Sequence, residues 1–231
     1  MSGAGAAGSV GIIGAGRLGL VVARLAAASG HRVLVAASGD PARIRPVLAA
    51  SAPGAVPGMI AEAASADLVV LAMPLTAYPT LPAALFLGRT VLDATNYWWE
   101  LDGLRPDLSD PSTSTSELVQ AHLAGAHVVK SLGHMSATDL EAEARPRGAD
   151  GRKAVAVAGD DPAAVDRVAR FVDDLGFDPV VVGALAEGIR FEPGTEIFGG
   201  DVDAAELRAL VERFPDSQRG RYLAKLRARG R

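Results

Sequence analysis

The hexapeptide Gly14-Ala15-Gly16-Arg17-Leu18-Gly19 constrains this chain most, because the apolar run Val10 to Ile13 precedes it and an alanine-rich helical pattern, Leu18 to Ala28, follows. Strand, tight glycine turn and helix in that order are the setting in which Gly-x-Gly-x-x-Gly holds a dinucleotide. Gly14 permits the sharp turn, Gly16 puts no side chain between backbone and pyrophosphate, and Gly19 lets the helix lie close to the strand. The ligand's anionic centre then rests on helix N–H groups without intrahelical partners, at the positive end of the dipole. Arg17 and Leu18 open the helix and share in this contact, Arg17 with a guanidinium that can touch a phosphate or simply face water.

The rest of the chain is read against that beginning. With 231 residues, 49% hydrophobic and 22% charged, the sequence suits a folded α/β protein with a well-filled core. Apolar runs alternate with helical patterns, which predicts a Rossmann-type doubly wound, mostly parallel sheet with a small C-terminal α/β appendage. Residues 1–150 are expected to bind NADP, and residues 151–231 to form a subdomain for substrate, coenzyme or dimerisation. A homodimer is expected. The net charge of -4 gives no general attraction to nucleic acid or membrane, apart from the Lys and Arg cluster of Arg219 to Arg231. Absence of cysteine excludes disulfides and thiolate chemistry, and the four histidines show no metal-ligand spacing. Met1 to Ser9 lacks the basic start and apolar core of a signal peptide, and no run is long enough to span a bilayer. A cytoplasmic protein is expected.

Strand ends carry the remaining candidates. The second strand, Arg32 to Ala36, runs into Ala37-Ser38-Gly39, where an NAD enzyme usually places Asp or Glu for the ribose hydroxyls. A small uncharged pocket with the Ser38 hydroxyl, and Arg43 close behind, suits the 2′-phosphate of NADP. Asp67 to Met73 is a buried strand that places Met73 and Pro74 at the carboxyl edge, where open α/β sheets bind ligands. Met73 serves equally well as core filling. Thr90 to Asp93 ends in Thr95 and Asn96, placed to bond a nicotinamide amide or a substrate, or else to stabilise the turn itself. Trp98 and Trp99 follow, fit either to cover a flat ring or to seal an edge. Ala126 to Lys130 leads to His134, a candidate proton donor to a reduced product and otherwise an ordinary loop histidine.

Between these ends, Pro41 to Ala50 reads as a helix and Ser114-Thr115-Ser116-Glu117 as a capping box opening another. Glu141 to Arg152 reads as an exposed excursion. Lys153 to Ala158, Ala163 to Leu175 and Phe177 to Val182 make a β-α-β unit, and Ala204 to Arg213 is the last clear helix.

The glycine turn, Asp93-Ala94-Thr95-Asn96, Ser116-Glu117 with Val128-Val129-Lys130, Ala158-Gly159-Asp160-Asp161 and the Leu185 to Pro193 region together resemble the NADPH-dependent coenzyme F420 reductases. The resemblance implies that NADPH on the glycine turn faces a deazaflavin in a cleft by the C-terminal part, with hydride passing between nicotinamide C4 and deazaflavin C5. It implies NADP as cofactor and coenzyme F420 as co-substrate. Three features depart from the family: Ala37-Ser38 stands where it has Ser-Arg, Lys130-Ser131-Leu132-Gly133 where it has Lys-Ala-Phe-Asn, and the Tyr97-Trp98-Trp99 loop and the basic C-terminal extension are not those of a typical member. Reduction of a small imine or carbonyl with His134 as acid, and a non-catalytic NADP(H)-binding redox sensor, are the alternatives.

Overall fold

The computed structural model describes residues 8–229. β1 (Ser9–Ile13) leads through the glycine turn into α1 (Arg17–Ala28), and β2 (Arg32–Ala36) follows. The predicted helix Pro41 to Ala50 is two pieces, a 3-10 turn Pro41–Ile44 and α2 (Arg45–Ser51). The break has a local cause: Pro46 has no N–H to donate back to Ala42. β3 (Val56–Gly58), α3 (Ile60–Ala64), β4 (Leu68–Leu71) and β5 (Thr90–Asp93) complete the first half. Then come α4 (Trp99–Asp102), α5 (Thr115–His122), β6 (His127–Ser131), α6 (Ala137–Glu143), β7 (Ala154–Gly159), α7 (Pro162–Asp174), β8 (Asp178–Gly183), α8 (Ala204–Arg213) and α9 (Gln218–Arg229).

All eight strands form one sheet in the order β3-β2-β1-β4-β5-β6-β7-β8. Pairing is parallel from β3 to β6, as near-continuous apolar strands covered on both faces require. Strand order reverses between β1 and β4, so their carboxyl ends diverge and leave a crevice, the place where such sheets take ligands. One face packs Ile12, Val35, Val70, Leu92 and Val129 against α1 and α7, and the other packs Ile13, Val69, Leu71, Val91 and Val128 against α5 and the loops before it.

The segment after residue 150 extends this same sheet. β7 pairs antiparallel with β6, and β8 returns parallel to β7. Antiparallel pairing means β7 begins at the edge where β6 ends, so the connection never crosses the sheet. β7 alternates, with Val155 and Val157 under α7 and small Ala154, Ala156 and Ala158 facing Phe191, Ile197 and Leu207. That small-residue face is where residues 185–200 lie along β6 and β7 and come back to the carboxyl edge, with Gly199 N–H donating to the His134 carbonyl at 2.8 Å.

One further expectation needs correction. Glu141 to Arg152 is not a wholly exposed excursion: it begins inside α6, whose cap is Ser136 accepting from Asp139 N–H at 3.1 Å. Arg152 itself is buried, donating to Asp178 Oδ1 and to the Asp173 carbonyl, both at 2.7 Å, and pairing with Asp173 Oδ1. A guanidinium whose two terminal nitrogens are held by three oxygens is stable where a solvated one was expected. It joins the end of α7 to the start of β8. The basic tail also turns inward at its first residue, Arg219, while Gly230 and Arg231 lie outside the described residues.

Replacing Arg152 with Ala leaves Asp178 without its ion pair and the well-shielded Asp173 with Arg147 as its remaining cation. Urea denaturation should show a loss of ~2–4 kcal/mol, somewhat below the ~3–5 of a fully buried pair because Asp178 is partly exposed.

Candidate functional site

The three turn glycines separate by what a side chain would meet. A Cβ on Gly14 would stand 2.2 Å from the Ala72 carbonyl oxygen, and the residue has φ +123°. On Gly19 it would stand 2.0 Å from the Gly14 carbonyl oxygen. These two glycines are therefore structural, holding β1, α1 and β4 in contact. Gly16 is different: nothing lies within 4 Å of its Cβ position, and its φ of -78° is one any residue adopts. Its Cβ position opens onto free space.

Gly16 is the N-cap of α1, makes no side-chain cap, and has no acidic residue in the turn it opens. The first N–H groups of a twelve-residue helix thus face the crevice uncompensated. Arg17 spans the crevice mouth and donates to Thr138 Oγ1 of α6 at 2.7 Å. From here a groove of about 590 Å³ runs along the carboxyl ends of β4, β5 and β6. It collects Gly16, Arg17, Leu18, Met73, Pro74, Thr95, Asn96 and His134, eight of the twelve predicted site residues. Gly14 and Gly19 support it from beneath. Ser38 and Arg43 lie outside it, exposed at the end of β2, with no side-chain hydrogen bond among the described residues; beside them Ala37, Pro41, Met59 and Ile60 line a separate apolar recess.

Individual roles sharpen with the geometry. Met73 packs on the core and lines the groove as well. The Thr95 hydroxyl donates to Asp93 Oδ1 at 2.6 Å and its N–H to the same oxygen at 3.0 Å, so its proton is committed to the turn. Asn96 donates to the Gly133 carbonyl at 2.7 Å. Trp98 meets Phe198 edge to face at 5.1 Å and walls the groove, whereas Trp99 lines a second cavity with Tyr97, Leu108 and Pro193.

His134 follows a strained turn. Leu132, at φ 64°, is the one non-glycine residue with positive φ among those described, and the turn sends the histidine ring inward. Nε2 accepts from the Ala156 N–H at 3.0 Å, and Phe191 lies edge-on at 5.8 Å. Burial, with the Lys130 charge adding to it, pushes the ring from the ordinary 6.5 down to about 4. His134 is therefore neutral at pH 7, which argues against the imidazolium acid expected from its position.

A charged cluster behind the groove was missed. Lys130 Nζ is buried and bonded to the Thr95 carbonyl at 3.2 Å and to Thr115 Oγ1 and Ser116 Oγ at 3.4 and 3.3 Å. Glu192 Oε1, 3.8 Å from that nitrogen, accepts from Ser114 Oγ, Thr115 N–H and Thr115 Oγ1. Ser116 Oγ donates to buried Asp93 at 2.6 Å. Arg219 of α9 completes the cluster, 3.3 Å from Glu192 Oε2. The sequence does carry one signal, since Asp93 and Lys130 end otherwise apolar strands; it carries none for Glu192.

Comparison with known proteins agrees with this geometry. Residues 9–97 match the family described as NADP oxidoreductase, coenzyme F420-dependent. That stretch runs from β1 through β5 to the groove's own Asn96. Over 81 residues the chain is 44% identical to the protein YjhV of Escherichia coli K12, covering 35% of this chain and 57% of that one. The chain thus spans little more than half the length of that curated relative. Among solved structures, protein SMa0349 of Sinorhizobium meliloti superposes with a TM-score of 0.74 at 27% identity, over 85% of this chain and 95% of its own. An Arthrobacter sp. FB24 protein, provisionally described as an F420-dependent NADP reductase, gives 0.64 at 26% identity over 75% and 84%. The Rossmann-type α/β fold is thereby established, and the family resemblance read from the motifs holds over its first half.

Gly16→Leu should leave the melting temperature nearly unchanged yet lower NADPH affinity by ~100-fold or more in calorimetry, since the side chain fills space the pyrophosphate needs. Gly19→Ala should do the reverse and destabilise the fold.

His134 also predicts a pH dependence. Its folded pKa lies below the unfolded one, so its contribution is complete above pH 6.5 and is lost on acidification towards pH 4. Between these limits stability should fall by up to about 1.4 kcal/mol per pH unit, a slope that urea titrations of His134→Phe should lack.

Proposed function

We propose that this chain binds NADP(H) along the groove and catalyses hydride transfer between the nicotinamide and a deazaflavin coenzyme. The observation that carries the reading is a single continuous groove joining the open face of Gly16 and the uncompensated α1 N-terminus to Asn96 at the end of β5. NADPH, when bound, supplies the hydride. The residues of the chain bind and orient. Backbone N–H groups of α1 hold the diphosphate, and the Arg17–Thr138 bridge keeps a positive charge at the mouth. Trp98 and Phe198 wall the groove and restrict water at the transfer end. Ser38 and Arg43, exposed and with no side-chain hydrogen bond among the described residues, are available to a 2′-phosphate.

Support for the deazaflavin comes from the groove's lack of a charged acid. His134 is neutral, and the one carboxylate among the lining residues, Asp102, accepts from the Trp98 N–H at 2.9 Å. A small carbonyl or imine gains basicity as hydride arrives and needs a positioned proton donor. A deazaflavin spreads the incoming charge over its ring, so positioning suffices. The family description matched by residues 9–97 favours the same acceptor.

Steady-state NADPH oxidation should show turnover with the deazaflavin and little with a panel of carbonyls and imines. NADPH should bind more tightly than NADH, and Arg43→Ala or Ser38→Ala should narrow the gap about tenfold at whichever residue holds the phosphate. Turnover confined to carbonyls or imines would replace the acceptor, and tight binding with no turnover would leave a redox-sensing module. Equal affinity for the two nucleotides would overturn the NADP assignment.

A further inference from the structure

Two buried polar atoms at the groove, Asn96 Oδ1 and His134 Nδ1, have no hydrogen-bond partner among the described residues. Their identities are determined by backbone partners of fixed polarity. The Gly133 carbonyl only accepts, and it lies 2.7 Å from the Asn96 side-chain nitrogen, so the free atom of that amide is the oxygen, an acceptor. The Ala156 N–H only donates, and it lies 3.0 Å from His134 Nε2. Nε2 therefore carries no proton, and the neutral ring holds its proton on Nδ1, a donor. The ring stays neutral down to about pH 4, so this tautomer persists at working pH. Asn96 is bonded to Gly133, the residue before His134, and both side chains line the groove that starts at Gly16. An unpartnered acceptor and an unpartnered donor thus belong to two residues that line the same groove.

Buried polar groups are almost always paired, so these two lack a partner of complementary pattern. An amide, with an N–H and a C=O on the same carbon, meets both groups from two atoms, where a hydroxyl or a water must give and take at a single one. A carboxylate would set oxygen against the Asn96 oxygen, a ketone would leave Asn96 unmet, and an amine would leave His134 unmet. We propose that Asn96 Oδ1 and His134 Nδ1 together read an amide of the bound ligand, Asn96 accepting from its N–H and His134 donating to its carbonyl. His134 then orients the ligand and transfers no proton. The inference rests on the dinucleotide reading of the groove, in which the nicotinamide carboxamide supplies the amide. The lactam edge of a deazaflavin ring offers the same pattern. Pairing with an amide would satisfy both buried groups at once.

Calorimetry on the full chain tests this with NADP+ and its 3-acetylpyridine analogue, in which methyl replaces the amide NH2. The unaltered chain should bind the analogue about tenfold or more weakly, because the methyl group leaves Asn96 Oδ1 unpaired. Asn96→Leu should bring NADP+ down to the analogue's level while barely changing the analogue. His134→Phe should weaken both alike, since both keep the carbonyl. Should that variant fail to fold, because the Ala156 N–H loses its acceptor, the discrimination by the unaltered chain and the Asn96 variant still decide. The same titrations with free deazaflavin separate the two sources: loss of its affinity in the variants, with the two nucleotides bound equally, assigns the amide to the acceptor ring. Equal binding of both nucleotides, with no effect of either substitution on nucleotide or deazaflavin, overturns the proposal. If the unaltered chain binds no nucleotide, the dinucleotide reading fails instead and the deazaflavin arm decides the amide. Binding of neither ligand overturns both.

Discussion

A buried ammonium at the carboxyl edge of the sheet ties the two halves of this protein together. Lys130 lies next to the end of β6, after buried Val128 and Val129, with almost no exposure, and a charge there is tolerated only when its solvation is replaced. The replacement is drawn from far along the chain: a carbonyl from the turn after β5, two hydroxyls at the start of α5, and the Glu192 carboxylate from the segment beyond β8. Glu192 in turn holds Arg219 and so the start of α9. The half of the sheet that carries the glycine turn is thereby joined to the C-terminal segment by charge, since breaking one partner of such a cluster strands another in low dielectric at ~3–5 kcal/mol.

The same cluster sets the geometry of the groove. Lys130 and Asp93 both hold Thr95, through its carbonyl and its hydroxyl, so the turn bearing Asn96 is braced from behind. Its other support is Gly133, placed by the left-handed Leu132. Residues that face a ligand are thus held by buried neighbours that do not, which is how a site keeps its shape before anything binds. At the opposite end the brace is steric: Gly14 and Gly19 admit no side chain, and that tight contact aims the α1 N-terminus at the crevice.

Electrostatics divide the groove in two. Its glycine end is positive, from helix N–H groups and Arg17, and suits a diphosphate. Its far end has neutral His134 and Asn96 beside aromatic walls, an environment for a ring that is oriented by hydrogen bonds and not by charge. A groove so divided favours chemistry driven by positioning over chemistry that needs a strong acid.

The sequence by itself determined the strands, the glycine turn and the location of the groove, because these follow from local chemistry. Apolar runs too short for helices become buried strands, glycine marks the sharp turn, and the crevice follows from strand order once β1 is known. It also placed Asn96, Met73 and His134 at strand ends, where the structure finds them in one groove. Other features could have been read and were not: Ser136 and Asp139 stand at cap spacing at the start of α6. What only the tertiary structure decided is what each polar group does. Arg152 reads as a solvated residue of a charged stretch until Asp173 and Asp178 arrive from a helix and a strand later in the chain. His134 reads as an acid until a backbone N–H from β7 takes its Nε2 and burial removes its charge. Protonation, hydrogen-bond role and burial depend on neighbours distant in sequence, and no local pattern of residues encodes them.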